Sequence, residues 1–168
     1  SDAIGAAADV ILSGKQALFV CGGGVVISNA EAELQALAEA LEAPVATTIS
    51  GQGSIAETHP LAVGVVGSNG GTTQTRAIVD AADVVVFVSC RAGSVTTERW
   101  QHPAPGSARI VHIDGDPGVI GANYETDAAV IGDAKLVLAA LCEEIARRGH
   151  KGDAASGIRD RIAALKKE

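Results

Sequence analysis

Residues 84–89 read Val-Val-Val-Phe-Val-Ser, and this run limits the possible folds more than any other feature of the chain. A strand with one wet face alternates apolar and polar residues; this one does not, so both of its faces must be covered. Similar short runs occur at 17–21, 45–49, 61–66 and 109–113, with a briefer one at 129–131. Between them lie segments with helical spacing. Ile4, Ala8, Ile11 and Leu12 share one face, Leu34, Leu37, Ala38 and Leu41 a second, and Leu138, Leu141, Cys142 and Ile145 another. Residues 72–82 also read as helix, and Pro44 ends the helix before it. Ser28, three before Glu31, predicts a capping box. Asp116-Pro117 predicts a cap with proline in the first turn of a further helix, and Asp133 the cap of the last main helix. Unalternating strands separated by helices predict an open, doubly wound α/β sheet of six parallel strands with helices on both faces.

The 168 residues fit one domain of ordinary size, roughly 100–200 residues. A formal net charge of −7 and only four aromatics (Phe19, Phe87, Trp100 and Tyr124) argue against a nucleic-acid partner, which wants a basic face and stacking surfaces. No apolar run approaches the roughly 18 residues that a membrane helix needs, and no basic-then-apolar leader opens the sequence. Cys21, Cys90 and Cys142 form no CxxC, so a reducing, cytoplasmic setting with buried thiols is expected. Methionine is absent, which fits either a removed initiator ahead of Ser1 or, as expected here, a piece of a longer chain. Residues 149–157 read as a linker. Residues 158–168 read as a short helix with Ile158, Ile162 and Leu165 on one face, a stripe that needs a further surface to pack against or is otherwise frayed or docked back on the domain.

Ligands of open α/β sheets bind beyond the carboxyl ends of the strands, where the glycine-rich segments of this chain fall. Gly22, Gly23 and Gly24 follow the first strand, and their N–H groups at a helix start suit a phosphate or a simple tight turn. The GxGxxG fingerprint fails at Ile27, and Thr47, Thr48 and Ser50 stand where a nicotinamide-type site wants an acidic residue. Residues 64–71 form a second glycine-rich loop. Arg91, directly after the strongest strand, is placed for a phosphate or carboxylate, or for an ion pair with Glu98. Asp114 ends a strand and could accept ribose hydroxyls or cap the next turn. No catalytic residue emerges: GxSxG, HExxH and GxxxxGK[ST] are all missing, and His59, His102, His112 and His150 have no ligand spacing. Cys21 and Cys90 read as buried small hydrophobes.

One ordered set of motifs resembles a known family. Residues 44–51 (Pro-Val-Ala-Thr-Thr-Ile-Ser-Gly), Glu57-Thr58-His59-Pro60-Leu61, Gly64 and Gly67-Ser68-Asn69-Gly70 begin it. Ala82-Asp83-Val84, Arg91, residues 112–117 (His-Ile-Asp-Gly-Asp-Pro) and Gly132-Asp133-Ala134 complete it. Together they resemble the central domain of thiamine-diphosphate-dependent enzymes such as acetolactate synthase, pyruvate oxidase, oxalyl-CoA decarboxylase and benzoylformate decarboxylase. The resemblance implies a Rossmann-like domain over residues 1–148, with 149–168 as linker and short helix. It implies flanking pyrimidine-binding and diphosphate-binding domains, which hold thiamine diphosphate and Mg²⁺. It also implies a dimer or tetramer for the whole enzyme and no turnover from the central domain alone. In such domains FAD, ADP or nothing is bound. Matching positions would place nucleotide contacts at Thr48, Ile49, Ser50, Gly67, Ser68, Asn69, Arg91, Asp114 and Asp133, beside the Gly22–Gly24 loop. Two departures stand out. Ala92-Gly93-Ser94-Val95 replaces an aromatic, two aspartates and an arginine expected of acetolactate synthase, and Asn69 replaces a histidine. The chain's residues also lack the family's metal motif: Asp114-Gly115-Asp116-Pro117 is not Gly-Asp-Gly, and no Asn-Asn follows. A self-standing NAD- or FAD-binding module and a purely structural domain are the rival readings.

Overall fold

The computed structural model describes residues 1–168, the side chain of Ala155 excepted. Six parallel strands form one sheet: β1 (Ala17–Cys21), β2 (Val45–Thr47), β3 (Ala62–Val65), β4 (Val84–Val88), β5 (Arg109–Asp114) and β6 (Ala128–Ile131). Their spatial order is β3-β2-β1-β4-β5-β6, the Rossmann order, with the reversal between β1 and β4. These two central strands are buried along their whole length, as their lack of alternation predicts. The edge strand β6 does alternate: Ala128 and Val130 face inward, while Ala129 and Ile131 are exposed.

Helices α1 (Asp2–Ser13), α3 (Glu31–Leu41) and α5 (Ala134–Arg147) pack on one another to form the layer on one face, where α1 also crosses β4, β5 and β6. The other face carries one long helix, α4 (Thr73–Ala81), and two irregular segments, 92–108 and 115–127. Two contacts tie α4 to the first segment: Arg76 clasps Glu98 in an ion pair through two hydrogen bonds of 2.7 Å, and the His102 ring is hydrogen-bonded to the Asp80 carboxylate at 2.8 Å. The second segment supplies Tyr124, whose ring stacks 5.5 Å from that of Phe87 in β4. The Tyr124 hydroxyl donates to the Pro103 carbonyl, so the two segments lock together where a crossover helix would otherwise lie.

Two helix starts differ from expectation. Ser28 starts no helix; it caps the end of the short helix α2 (Gly24–Ile27), and its hydroxyl donates back to the Gly24 carbonyl at 2.8 Å. The helix α3 begins after Ala30 without a side-chain cap, because the turn between α2 and α3 sets its direction. Asp116-Pro117 starts no helix either. The Asp116 carboxylate accepts from the Gly118 N–H at 2.9 Å, and this local bond holds a turn instead. A reciprocal capping box does occur, between Thr72 and Thr75 at the start of α4. Asp133 caps α5 as predicted, accepting from the Leu136 N–H.

The C-terminal helix α6 (Ile158–Leu165) docks back on the domain, with Ile158 and Ile162 buried in the common core. Arg159 grips Glu42 at the end of α3 through two bonds of 2.7–2.8 Å. Lys166 donates to the carbonyls of Glu57 and His59 and borders β3, so α6 screens that edge of the sheet.

Candidate functional site at the strand reversal

The β1–β4 junction is where such a sheet opens a crevice, because the loops after these strands leave toward opposite sides. Two hollows meet there, sharing Ser89 and Arg91 on the loop after β4. The larger, about 700 Å³, is bordered by Gly22, Gly23, Thr48, Ile49, Ser50 and the 93–96 segment. The smaller, about 360 Å³, lies toward β5 and β6 and is bordered by Gly24, Ile27, Asp114, Asp116, Val119 and Asp133.

Glycines shape the junction for a physical reason. A Cβ on Gly22 would stand 2.1 Å from the Ser89 carbonyl oxygen, and one on Gly24 would stand 2.4 Å from the Ser89 Cβ. The loops after β1 and β4 therefore touch backbone to backbone. Ser89 and Ala92 adopt the left-handed conformation, with φ of 49° and 51°, which turns the loop sharply around Arg91. The Gly22 N–H is already bonded to the Val88 carbonyl at 2.9 Å, whereas the N–H groups of Gly23 and Gly24 have no acceptor among the described residues. The helix α2 that follows is a single turn, so any anion would be held by these N–H groups and side chains more than by a helix dipole.

Arg91 does not pair with Glu98, which Arg76 has taken. Its exposed guanidinium makes no hydrogen bond or ion pair among the described residues, and only its carbonyl is held, by Asn123 at 2.9 Å. Asp114 and Asp133 each commit one oxygen to a backbone N–H, Asp114 to that of Asp116 at 2.9 Å and Asp133 to that of Leu136 at 3.2 Å. Both the capping and the ligand reading of Asp114 thus remain compatible with its geometry, since a carboxylate accepts more than one bond.

The sequence-predicted residues divide. Gly22, Gly23, Thr48, Ile49, Ser50 and Arg91 border the larger hollow, and Gly24, Arg91, Asp114 and Asp133 the smaller. Gly67, Ser68 and Asn69 border neither. The Ser68 N–H is bound to the Val95 carbonyl at 2.8 Å, so this glycine loop is clasped to the 93–96 segment, which takes its place at the crevice wall. A Cβ on Gly67 would meet that same carbonyl at 2.4 Å, so the glycine serves the clasp. Ser89, Val95, Thr96 and Asp116 are wall residues that motif reading missed. Only Ser89, at the end of the strongest strand, carried a positional signal.

The thiols at the crevice floor are inert. Burial raises Cys21 far above its ordinary value and pushes Cys90 up to about 11, so neither is a thiolate at neutral pH. His112 donates its ring N–H to the Cys90 carbonyl at 2.7 Å, and burial holds its pKa below the ordinary value, which keeps it neutral. A third hollow, about 440 Å³ at the amino ends of β4 and β5, is polar but internally paired: Asp83 accepts from the Lys15 and Gln16 N–H groups, and Asp127 from that of Ile110. It offers a ligand less than the switch-point crevice does.

Among the described residues no group of three or more His, Cys, Asp or Glu is placed to hold a metal ion. No described helix is long and apolar enough to cross a membrane.

Residues 4–141 match the family model described as thiamine pyrophosphate enzyme, central domain. The chain belongs to this family. Its relatives include a probable acetolactate synthase large subunit of Methanococcus aeolicus, 40% identical over 136 residues, covering 81% of this chain and 22% of that protein. A second, from Methanocaldococcus jannaschii, is 42% identical over 132 residues, covering 79% of this chain and 22% of the relative. An acetolactate synthase of Mycobacterium avium is 31% identical over 146 residues, 87% of this chain and 23% of that enzyme. The chain is therefore an acetolactate-synthase-like central domain that spans less than a quarter of the length of these relatives.

Proposed function

We propose that this central domain serves a thiamine-diphosphate-dependent carboligase or decarboxylase acting on 2-oxo acids or related acyl donors. Thiamine diphosphate and Mg²⁺ would be held by flanking pyrimidine-binding and diphosphate-binding domains, for which this domain is the scaffold. The whole enzyme would be a cytoplasmic dimer or tetramer, and this domain alone would turn nothing over. Its switch-point crevice would hold an adenine nucleotide, either ADP or the ADP part of FAD.

The observation that carries the nucleotide reading is the unpaired Arg91 guanidinium beside the open N–H groups of Gly23 and Gly24, where two hollows meet. A guanidinium and backbone N–H groups suit a diphosphate. Of the two hollows, only the smaller carries carboxylates, which accept ribose hydroxyls, and it offers Ile27 and Val119 for an apolar ring. Adenosine therefore belongs toward β5 and β6. The larger hollow, lined by Thr48, Ile49, Ser50 and Val95, would receive whatever lies beyond the diphosphate.

Thermal shift with ADP and FAD tests this. Ligand at a hundred times its dissociation constant stabilises the chain by about 2.7 kcal/mol. Arg91→Ala should abolish the shift while leaving the unliganded midpoint in place, since the exposed side chain makes no hydrogen bond or ion pair among the described residues. A shift with NAD and none with ADP or FAD would favour the self-standing module, and no shift at all would leave a scaffold without a ligand.

A further inference from the structure

The smaller hollow has an unequal charge balance: Asp114, Asp116 and Asp133 border it, against the single guanidinium of Arg91. The three carboxylates are fixed in direction. One oxygen of each accepts a backbone N–H, from Asp116, Gly118 and Leu136 respectively, and the second oxygen has no partner among the described residues. Their placement follows from the sheet. Asp114 closes β5 and lies opposite Ile131, the last residue of β6; Asp133 follows two residues later, and the Gly132 N–H is bonded to the Asp114 carbonyl at 3.0 Å. The rim toward β5 and β6, around the proposed ribose position, is thus acidic, and each of its carboxylates has an oxygen left to accept.

We propose, resting on the adenine-nucleotide reading above, that this crevice selects nucleotides whose adenosine ribose has both hydroxyls free and rejects those with a 2′- or 3′-phosphate, the NADP and coenzyme A class. A ribose with free hydroxyls gives two donors to surplus carboxylate oxygens. A ribose phosphate brings further negative charge and acceptor oxygens to the same place. Arg91 cannot neutralise that phosphate while it serves the diphosphate, and no other Lys or Arg borders the hollow. Like charges set opposite one another are the usual means by which a site refuses a near-identical ligand.

Titration calorimetry of this chain with ADP, 2′-phospho-ADP and 3′-phospho-ADP tests the proposal. At low salt ADP should bind about tenfold or more tightly than either phosphorylated form. The ratio should narrow as salt rises, because the discrimination is electrostatic. Asp114→Asn, Asp116→Asn and Asp133→Asn, combined, should also narrow it; asparagine keeps the oxygen that accepts each backbone N–H, and thermal melting checks that the fold stands. Equal binding of all three nucleotides overturns the proposal and leaves the nucleotide reading intact. So does a preference for ADP that neither salt nor the substitutions alter, since shape would then be the cause. Failure of ADP itself to bind overturns the nucleotide reading, and the selectivity with it.

Discussion

At the scale of single residues, Gly22 and His112 show how tightly the junction between β1 and β4 is built. Gly22 is a position where only hydrogen fits, because an added Cβ would collide with main-chain atoms of Ser89 that cannot move aside. Gly22→Ala should cost about 1–3 kcal/mol or more in urea unfolding. Gly115→Ala, with its nearest obstacle at 3.8 Å, should cost far less. His112 is a buried neutral ring beneath Phe87 and the Cys90 carbonyl. Burial lowers its pKa from the ordinary 6.5. As pH falls below 6.5, the unfolded chain takes up a proton on this ring before the folded chain does. Stability must therefore fall with it, until the folded-state pKa is passed. Measured from pH 7 to about pH 5, the unfolding midpoint should drop more steeply in the wild type than in His112→Gln.

At the scale of elements, α6 and the segment after β4 behave differently from what local patterns suggest. The stripe of Ile158, Ile162 and Leu165 was equally consistent with a frayed tail, yet Ile162 is fully buried. Ile162→Ala should cost about 2–5 kcal/mol, and hydrogen exchange in α6 should rise together with exchange in α3, its partner. An unchanged midpoint with exchange confined to α6 would mean that the helix docks too weakly to matter. The ion pair with Arg159 lowers the Glu42 pKa, so its contribution is present above pH 4.5 and lost as pH falls through the depressed value. The segment 92–108 was legible only as irregular. In the structure Glu98, Arg99 and Trp100 form a left-handed turn, with φ of 51–60°. The turn is held by the Trp100 ring N–H on the Ala92 carbonyl at 3.0 Å and by the Arg76–Glu98 clasp. Nothing in local propensity favours such a turn, since three non-glycine residues each resist it. Distant partners impose it.

At the scale of the whole molecule, a covered parallel sheet accounts for the parts of the chain that carry function. Parallel strands buried on both faces leave polar loops only at their ends, so the crevice must form where the winding reverses. On the scaffold reading proposed above, the crevice supplies binding groups and the chemistry belongs to the flanking domains. Given thiamine diphosphate, Mg²⁺ and a 2-oxo acid, the chain should release no carbon dioxide above background. Sustained decarboxylation would overturn the scaffold reading and require a catalytic centre within these residues.

Six strands, their parallel sense and the positions of α1, α3, α4 and α5 were legible in the residues, because hydrophobic period and burial on two faces are local properties that survive in any one-dimensional reading. Gly22–Gly24, Arg91 and Asp114 were legible for the related reason that strand ends define where a crevice can open. Folding decided what depends on partners far along the chain. Ser28 and Asp116 could each have started a helix, but a turn captured the first and a local hydrogen bond the second. Arg91 could have paired with Glu98, but Arg76, fifteen residues upstream in α4, reached it first and left the guanidinium open. Gly67, Ser68 and Asn69 could have lined the crevice, but the clasp to Val95 buried Gly67 against the 93–96 segment and left Ser68 and Asn69 exposed away from it. A side chain's type sets what it can bond, and only the assembled sheet and loops settle which of its possible partners is near enough to do so.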